Sequence, residues 1–337
     1  MAQQSVTQVE NLTKSKEIEQ GALAIEAHGL VKAFGDNRAV DGVDLAVPTG
    51  CIYGLLGPNG AGKTTIINML ATLMSTDGGT AKIFGHDVQH EAHIVRQLIS
   101  VTGQYATIDE KLSATENLVI FAMLLGYSRS EARRRAEELL EQFGLGDAAK
   151  RTLDKFSGGM RRRLDLAASL LNRSPLIFLD EPTTGLDPRT RVQMWDTIRR
   201  LVSSGCTILL TTQYLDEADQ LADRIAVIDH GRVVAEGTPD ELKAAVGAAA
   251  LHLKLVDAKD LDGAMRIVQA VLKGEASASE PTLITARMAD PERVTDLLVA
   301  LREAGIRLAE VNVQKPTLDE VFLALTGGSK QMQGATE

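Results

Sequence analysis

Cysteine is almost missing from this sequence. Its two representatives, Cys51 and Cys206, each head an apolar, strand-like run. They read as small hydrophobes in a reducing compartment, which leaves out a disulfide scaffold and a thiolate metal site. No apolar run reaches the length that crosses a bilayer. No direct membrane span is therefore expected, and a membrane role has to come through a partner. Positive charge is in deficit too: the formal net charge of -9 argues against a general nucleic-acid binder, which would carry a basic surface. Met1 to Glu19 lacks the apolar segment of a secretory signal. Residues 1–22 and 329–337 are expected as disordered tails.

What remains is ordinary material for a folded chain. Of the 337 residues 44% are hydrophobic and 24% charged, and at ~150 residues per domain that length predicts two domains. The first is placed at 23–246. Ala24 to Val47 alternates apolar and polar residues ahead of a Pro48-Thr49-Gly50 turn, and so predicts antiparallel strands. From Gly50 onward strand-like and helical segments alternate, the pattern of a mostly parallel sheet covered by helices. Leu176–Leu179 and Thr207–Leu210 are continuous apolar runs, as in strands buried on both faces. Glu131 to Phe143 reads as helix, and Arg133-Arg134-Arg135 as its solvated face. Thr238-Pro239-Asp240-Glu241 reads as a helix start. The composition loosens at Gly247, and 247–328 predicts a small α/β domain. Its strands fall near Leu251–Val256, Thr282–Arg287 and Arg307–Val313, with a closing helix at Leu318–Leu325. No catalytic constellation stands out in it.

The chemistry concentrates in the first domain. Gly57-Pro58-Asn59-Gly60-Ala61-Gly62-Lys63-Thr64-Thr65 fits a phosphate-binding loop between the apolar run Cys51–Leu56 and the helical run Ile66–Ala71. Its glycines let backbone N–H groups turn toward phosphate oxygens, and the following helix adds its positive end. Lys63 supplies a point charge, and the Thr64 hydroxyl suits Mg²⁺. The strand Leu176–Leu179 ends in Asp180-Glu181, placing two carboxylates at the sheet edge where ligands of α/β folds bind. Asp180 suits Mg²⁺, and Glu181 suits the water that attacks a terminal phosphate. Ser157-Gly158-Gly159-Met160 opens a further helical pattern, with Ser157 as cap and two glycines leaving amides bare for an anion. Taken singly, the carboxylate pair and the Ser-Gly-Gly tripeptide also fit solvated chain ends.

Together with Phe34, Gln104 and Gly185-Leu186-Asp187, these motifs resemble, in order and wording, the nucleotide-binding subunit of an ABC transporter. The phrases Val101–Tyr105, Ser157–Arg163, Thr212–Asp219 and Leu318–Gly327 are similar to the daunorubicin/doxorubicin-resistance ATP-binding family. The resemblance implies a fold of the P-loop NTPase, ABC type, with a mixed sheet core, an antiparallel β subdomain and a helical subdomain, followed by the small C-terminal α/β domain. It implies ATP and Mg²⁺ as ligands and ATP hydrolysis as the activity, coupled to efflux of hydrophobic, anthracycline-like compounds. Phe34 would stack on adenine, although a core phenylalanine at a strand end fits that position equally well. Gln104 would reach Mg²⁺, with Thr64 and Asp180, and sense the membrane partner. Ser157, Gly158, Gly159 and Met160 would cap the nucleotide of a second copy, and Asp187 would couple the two sites. The implied partners are a second copy, head to tail, and a separate integral-membrane permease, on the cytoplasmic face of a bacterial membrane.

Where most of that family has a histidine after the strand Thr207–Thr211, this sequence has Gln213. An amide cannot titrate, but it can hydrogen-bond a phosphate and a water, so Gln213 joins Lys63 and Glu181 as a catalytic candidate. Two other functions stay open on the sequence alone. One is a soluble ABC ATPase not tied to transport. The other is a nucleotide-gated binding protein of low turnover.

Overall fold

A computed structural model describes residues 22–102, 109–172, 174–246, 249–274, 276–288, 292–314 and 316–326. The tails expected to be disordered lie outside the described residues, apart from Ala22. The chain divides into two compact units between Thr238 and Pro239.

In chain order the first unit runs β1 (Leu23–Phe34), β2 (Asn37–Pro48), β3 (Ile52–Leu56), α1 (Lys63–Leu70), β4 (Gly78–Ile83), β5 (His86–Asp87), α2 (Ala92–Leu98) and β6 (Ile99–Thr102). It continues through α3 (Ala114–Leu124), α4 (Arg129–Gln142), α5 (Gly158–Ser169), β7 (Leu176–Asp180) and α6 (Pro188–Ser203). It ends with β8 (Thr207–Thr212), α7 (Leu215–Leu221), β9 (Arg224–Asp229) and β10 (Arg232–Gly237). The alternating segment before Gly50 forms the β1/β2 hairpin of a four-stranded antiparallel sheet, ordered β2-β1-β4-β5. A six-stranded sheet, ordered β10-β9-β3-β8-β7-β6, has every pair parallel except β10 on β9. All residues of β3, β7 and β8 are buried, as their unbroken apolar runs require.

Two apolar cores cover the faces of that sheet. One joins β1, β2 and α1 to residues such as Tyr53, Leu55, Phe178 and Leu209. The other joins α3 to α6 to Ile177, Leu179, Ile208 and Leu210. The alternation of partners along each strand is the period-two pleat. Helices α3 and α4 each start in a reciprocal capping box, Ser113 with Glu116 and Ser128 with Glu131. The basic run on α4 is only partly a solvated face. Arg133 and Arg134 are exposed beside Glu137 and Glu138, but Arg135 turns inward and donates to Leu170 O at 2.7 Å. Both cysteines are free and half-buried, and burial raises both thiol pKa values, that of Cys51 to about 11.

The second unit opens with α8 (Pro239–Val246). It continues through β11 (Ala249–Leu255), α9 (Leu261–Leu272), β12 (Ala276–Glu280), β13 (Leu283–Met288), α10 (Arg293–Glu303), β14 (Leu308–Gln314) and α11 (Leu318–Thr326). Its strands form an antiparallel sheet, β12-β13-β11-β14. Leu251, Leu253 and Ile284 pack against Ala264, Val268, Leu297 and Leu301 from α9 and α10. Strand β12, Ala-Ser-Ala-Ser-Glu, carries no apolar signal and is not foreseen from the sequence. Helix α8 packs on α11, which groups residues 239–246 with this unit, whereas the sequence reading placed them in the first.

Candidate active site

The parallel strands all end on one edge of the six-stranded sheet, and the loop Gly57–Gly62, Asp180, Glu181 and Gln213 follow strands that end there. Strand β3 leads into the loop Gly57–Gly62, and the buried Lys63 and the following Thr64 and Thr65 begin α1. Gly57 N–H donates to Thr212 O at 3.2 Å, fastening the loop to the end of β8. Ala61 N–H donates to Pro58 O at 3.2 Å and closes the turn, leaving Pro58, Asn59 and Gly60 exposed at its crest. Gly62 has φ 104, and a Cβ there would lie 2.3 Å from Ala39 O, so only glycine fits.

Lys63 Nζ donates to Gly57 O at 2.8 Å and to Pro58 O at 3.1 Å, and lies 3.7 Å from Glu181 Oε1. Desolvation pulls the lysine pKa below its ordinary value, while Glu181 and Asp180 pull it back up. Thr64 Oγ1 donates to the Asp180 carboxylate at 3.0 and 3.2 Å. A second hydroxyl, Thr211 Oγ1, donates to Asp180 Oδ1 at 2.5 Å. Glu181 adopts φ 46, rare for a residue with a side chain. Its N–H is shared between Thr211 O at 3.2 Å and Thr211 Oγ1 at 3.0 Å, and Thr184 Oγ1 donates to Glu181 Oε2 at 3.1 Å.

Lys63, Thr64, Asp180 and Glu181 are thus in direct contact. Gln213 follows Thr212 and leads into α7, which is tied to α6 on its other side. Arg191 lies 3.2 Å from Asp216 Oδ2 and stacks over the Tyr214 ring at 4.7 Å, and Trp195 Nε1–H donates to the buried Glu217 at 3.2 Å. Phe34 ends β1, half exposed, with the Lys32 ammonium 5.9 Å from its ring centre. Half exposure does not suit a core residue. Ser157 caps α5 by accepting from Met160 N at 3.3 Å, and a Cβ added to the exposed Gly158 would meet nothing within 4 Å. Asp187 caps α6, accepting from Thr190 N at 3.0 Å and Thr190 Oγ1 at 2.6 Å, and these bonds lower its pKa. Gln104 lies outside the described residues.

Two further residues belong to the site and were not singled out by sequence, Thr211 and Thr184; Arg162, which the sequence offered only as a member of the basic run Arg161-Arg162-Arg163, joins them by donating to Asp180 O and Glu181 O. Thr211 had a signal, since Thr-Thr closing a wholly buried strand is a polar pair in an apolar place. Thr184 reaches Glu181 from only three residues on, whereas Arg162 acts through strand order and chain reversal, which no local pattern carries.

The residues fit a magnesium nucleotide. One hydroxyl and one carboxylate at hydrogen-bond distance are the oxygen donors that Mg²⁺ takes from a protein when phosphates and water complete its shell. No cluster of three or more His, Cys, Asp or Glu capable of holding a metal by itself occurs among the described residues. Among the same residues no helix is long and apolar enough to cross a membrane.

A family model described as ABC transporter matches residues 40–184, and one described as "ATP-binding protein DrrA1-3-like, C-terminal domain" matches residues 237–326. The chain is 57% identical over 309 residues to the daunorubicin/doxorubicin resistance ATP-binding protein DrrA of Streptomyces peucetius, covering 91% of this chain and 94% of that protein. It is 39% identical over 308 residues to the Nod factor export ATP-binding protein I of Rhizobium sp. (strain N33), covering 90% and 97%. A solved ATP-binding cassette, dimeric in a post-hydrolysis state with ADP and phosphate bound, matches with TM-score 0.58 and 25% identity over 64% of this chain and 98% of its own.

Proposed function

The chain belongs to the ATP-binding proteins of ABC transporters, in their daunorubicin/doxorubicin-resistance branch, and on that premise we propose that it is the ATPase subunit of a drug exporter. Its cargo is a hydrophobic, anthracycline-like compound, carried by a separate membrane permease. The chain itself sits peripherally on the cytoplasmic face of a bacterial membrane. One observation carries the reading: Lys63, Thr64, Asp180 and Glu181 converge at the open edge of the parallel sheet.

The residues divide the work. The amides of Gly57–Thr65 and the Lys63 ammonium grip the β- and γ-phosphates, and Phe34 stacks on the base. Thr64, Asp180 and Gln104 would hold Mg²⁺, whose charge offsets that of the phosphates. Glu181 orients and polarises the attacking water. Gln213 hydrogen-bonds the γ-phosphate and the same water, acting through geometry because it cannot titrate. Ser157 to Met160 cap the nucleotide bound by a second copy arranged head to tail, and Asp187 links the two sites. The small C-terminal unit supports assembly with that copy or with the permease. Truncation after Thr238 is expected to weaken the complex and leave nucleotide binding by the single chain intact.

The test pairs this chain with a candidate permease, in inverted vesicles supplied with ATP and an anthracycline. ATP-dependent uptake is expected with the unaltered chain and is lost with Lys63→Ala. Uptake that persists with Lys63→Ala, or ATPase activity without any membrane-dependent transport, overturns the assignment.

A further inference from the structure

The three arginines after Met160 divide their partners. Arg161 pairs with Glu110, and Arg163 donates to Phe143 O at 3.1 Å, so both fasten α5 to the helical part of the unit. Arg162 points elsewhere. Its Nε donates to Pro182 O at 3.1 Å, and its Nη2 donates to Asp180 O at 3.0 Å and Glu181 O at 3.2 Å. One guanidinium therefore gathers three consecutive carbonyls. They belong to the segment whose middle residue, Glu181, is held at φ 46. That conformation costs on the order of 1 kcal/mol for a residue with a Cβ and persists only where surroundings fix it. Thr211 fixes it from the strand side through the Glu181 N–H, and Arg162 from the helix side. A planar five-donor fork can do this, and a single ammonium cannot.

The place from which Arg162 reaches is as telling. It stands just over one turn beyond Gly158, on the helix whose mouth opens at Ser157–Gly159. Resting on the head-to-tail reading above, that mouth serves the nucleotide of the other copy, while Glu181 serves the nucleotide of its own. We propose that Arg162 is a positioning residue for hydrolysis: it holds the backbone that aims Glu181 of its own chain, from the helix that caps the nucleotide of its partner. The two sites of a dimer are thereby joined through one side chain within each subunit.

Arg162→Lys and Arg162→Met in the full chain are the first test. Nucleotide affinity is expected to stay within about threefold of wild type, because the Lys63 grip is untouched. Turnover is expected to fall by about tenfold or more, as for a misaimed catalytic group, and the Hill coefficient for ATP to move toward one. Turnover that is unchanged, or that falls only in proportion to lost binding, overturns the proposal.

A mixed pair then separates aiming from general damage. Gly158→Asp in one full chain and Glu181→Gln in the other leave a single complete site, built from the first chain's Glu181 and the second chain's mouth. Arg162→Lys placed on the first chain is expected to remove most of that pair's turnover, and on the second chain to change it by no more than about threefold. The reverse pattern, or equal loss from both placements, refutes positioning in the same chain. A starting pair without turnover refutes the head-to-tail site instead, and the comparison of binding with turnover in the uniform variants then decides the role of Arg162.

Discussion

Lys63 Nζ stands 3.7 Å from Glu181 Oε1, joining the phosphate loop to the carboxylate at the end of a strand that lies 118 positions along the chain. The contact is buried at the lysine, and desolvation depresses its pKa despite two nearby carboxylates. A buried ammonium whose charge is disfavoured adds little to folding and is available to a phosphate. Lys63→Ala is expected to weaken Mg-ATP binding by about a hundredfold, the equivalent of two charge-assisted hydrogen bonds at ~1.5 kcal/mol each. Calorimetric titration measures this. The melting temperature without nucleotide is expected to move by no more than about 4 °C, the effect of ~1 kcal/mol. A large drop in melting temperature beside unaltered affinity would show the lysine to be structural.

How much of this was legible in the sequence differs from part to part. The loop, Asp180 and Glu181 could be read because each follows a continuous apolar strand, and the loop's spacing is itself the chemistry. Their convergence could only be expected, since it depends on β3 and β7 flanking β8 in the sheet. Arg162 was visible as one of three arginines, but nothing local says which of the three turns toward the strand end. Strand β12 was hidden because its small and polar residues give no apolar alternation. The helix 239–246 was seen, yet its unit is decided by packing on α11 some eighty residues later, a relationship that composition does not express.

Gln213 follows Thr212, whose carbonyl accepts the Gly57 N–H at 3.2 Å, so its backbone is fixed to the phosphate loop. The other end of the segment is held by Tyr214 and Glu217 against α6. Such anchoring favours a positional role over proton transfer. Gln213→His is expected to keep turnover within about tenfold, while Gln213→Ala loses about a hundredfold. Steady-state ATPase rates of the purified variants decide it, and equal rates for both and for wild type exclude the role.

Asp165 lines a small pocket with Thr102, Arg162, Leu166, Pro182 and Met194, and burial raises its pKa to about 6 in spite of Arg162 and Arg161. A raised carboxyl pKa means the folded state binds the proton more tightly than the unfolded chain. Stability is therefore unaffected below the unfolded pKa of 3.8 and falls as pH rises toward about 6. The full cost remains above that. Asp165→Asn should be more stable than wild type at pH 7.5 by about 1 to 2 kcal/mol, after allowance for screening. The gain should shrink to about a third by pH 4.5. Denaturant unfolding at the two pH values measures both, and a gain independent of pH contradicts the assignment.

Gly159 rests against the first turn of α6: a Cβ on it would sit 2.6 Å from Thr190 Cγ2 and 3.2 Å from Thr190 Oγ1. Thr190 is in turn held by Asp187, through its N–H and its hydroxyl. The mouth of α5 and the cap of α6 are therefore in contact through one methyl group, and the collision is removable. Gly159→Ala alone must push α5 from the cap, and it is expected to lower turnover by about tenfold or more. Thr190→Ser deletes Cγ2 and keeps the hydroxyl that Asp187 accepts from, so alone it should be close to neutral. Combined, the two changes should recover most of the lost turnover, a coupling of about 1 kcal/mol or more between residues in contact. Thr190→Ala supplies the contrast, because it clears the same methyl but abandons the Asp187 bond. With Gly159→Ala it should restore less than Thr190→Ser does. Losses that simply add across the double variants would mean that Gly159 is required for the bare amide at the helix mouth and not for its closeness to Thr190.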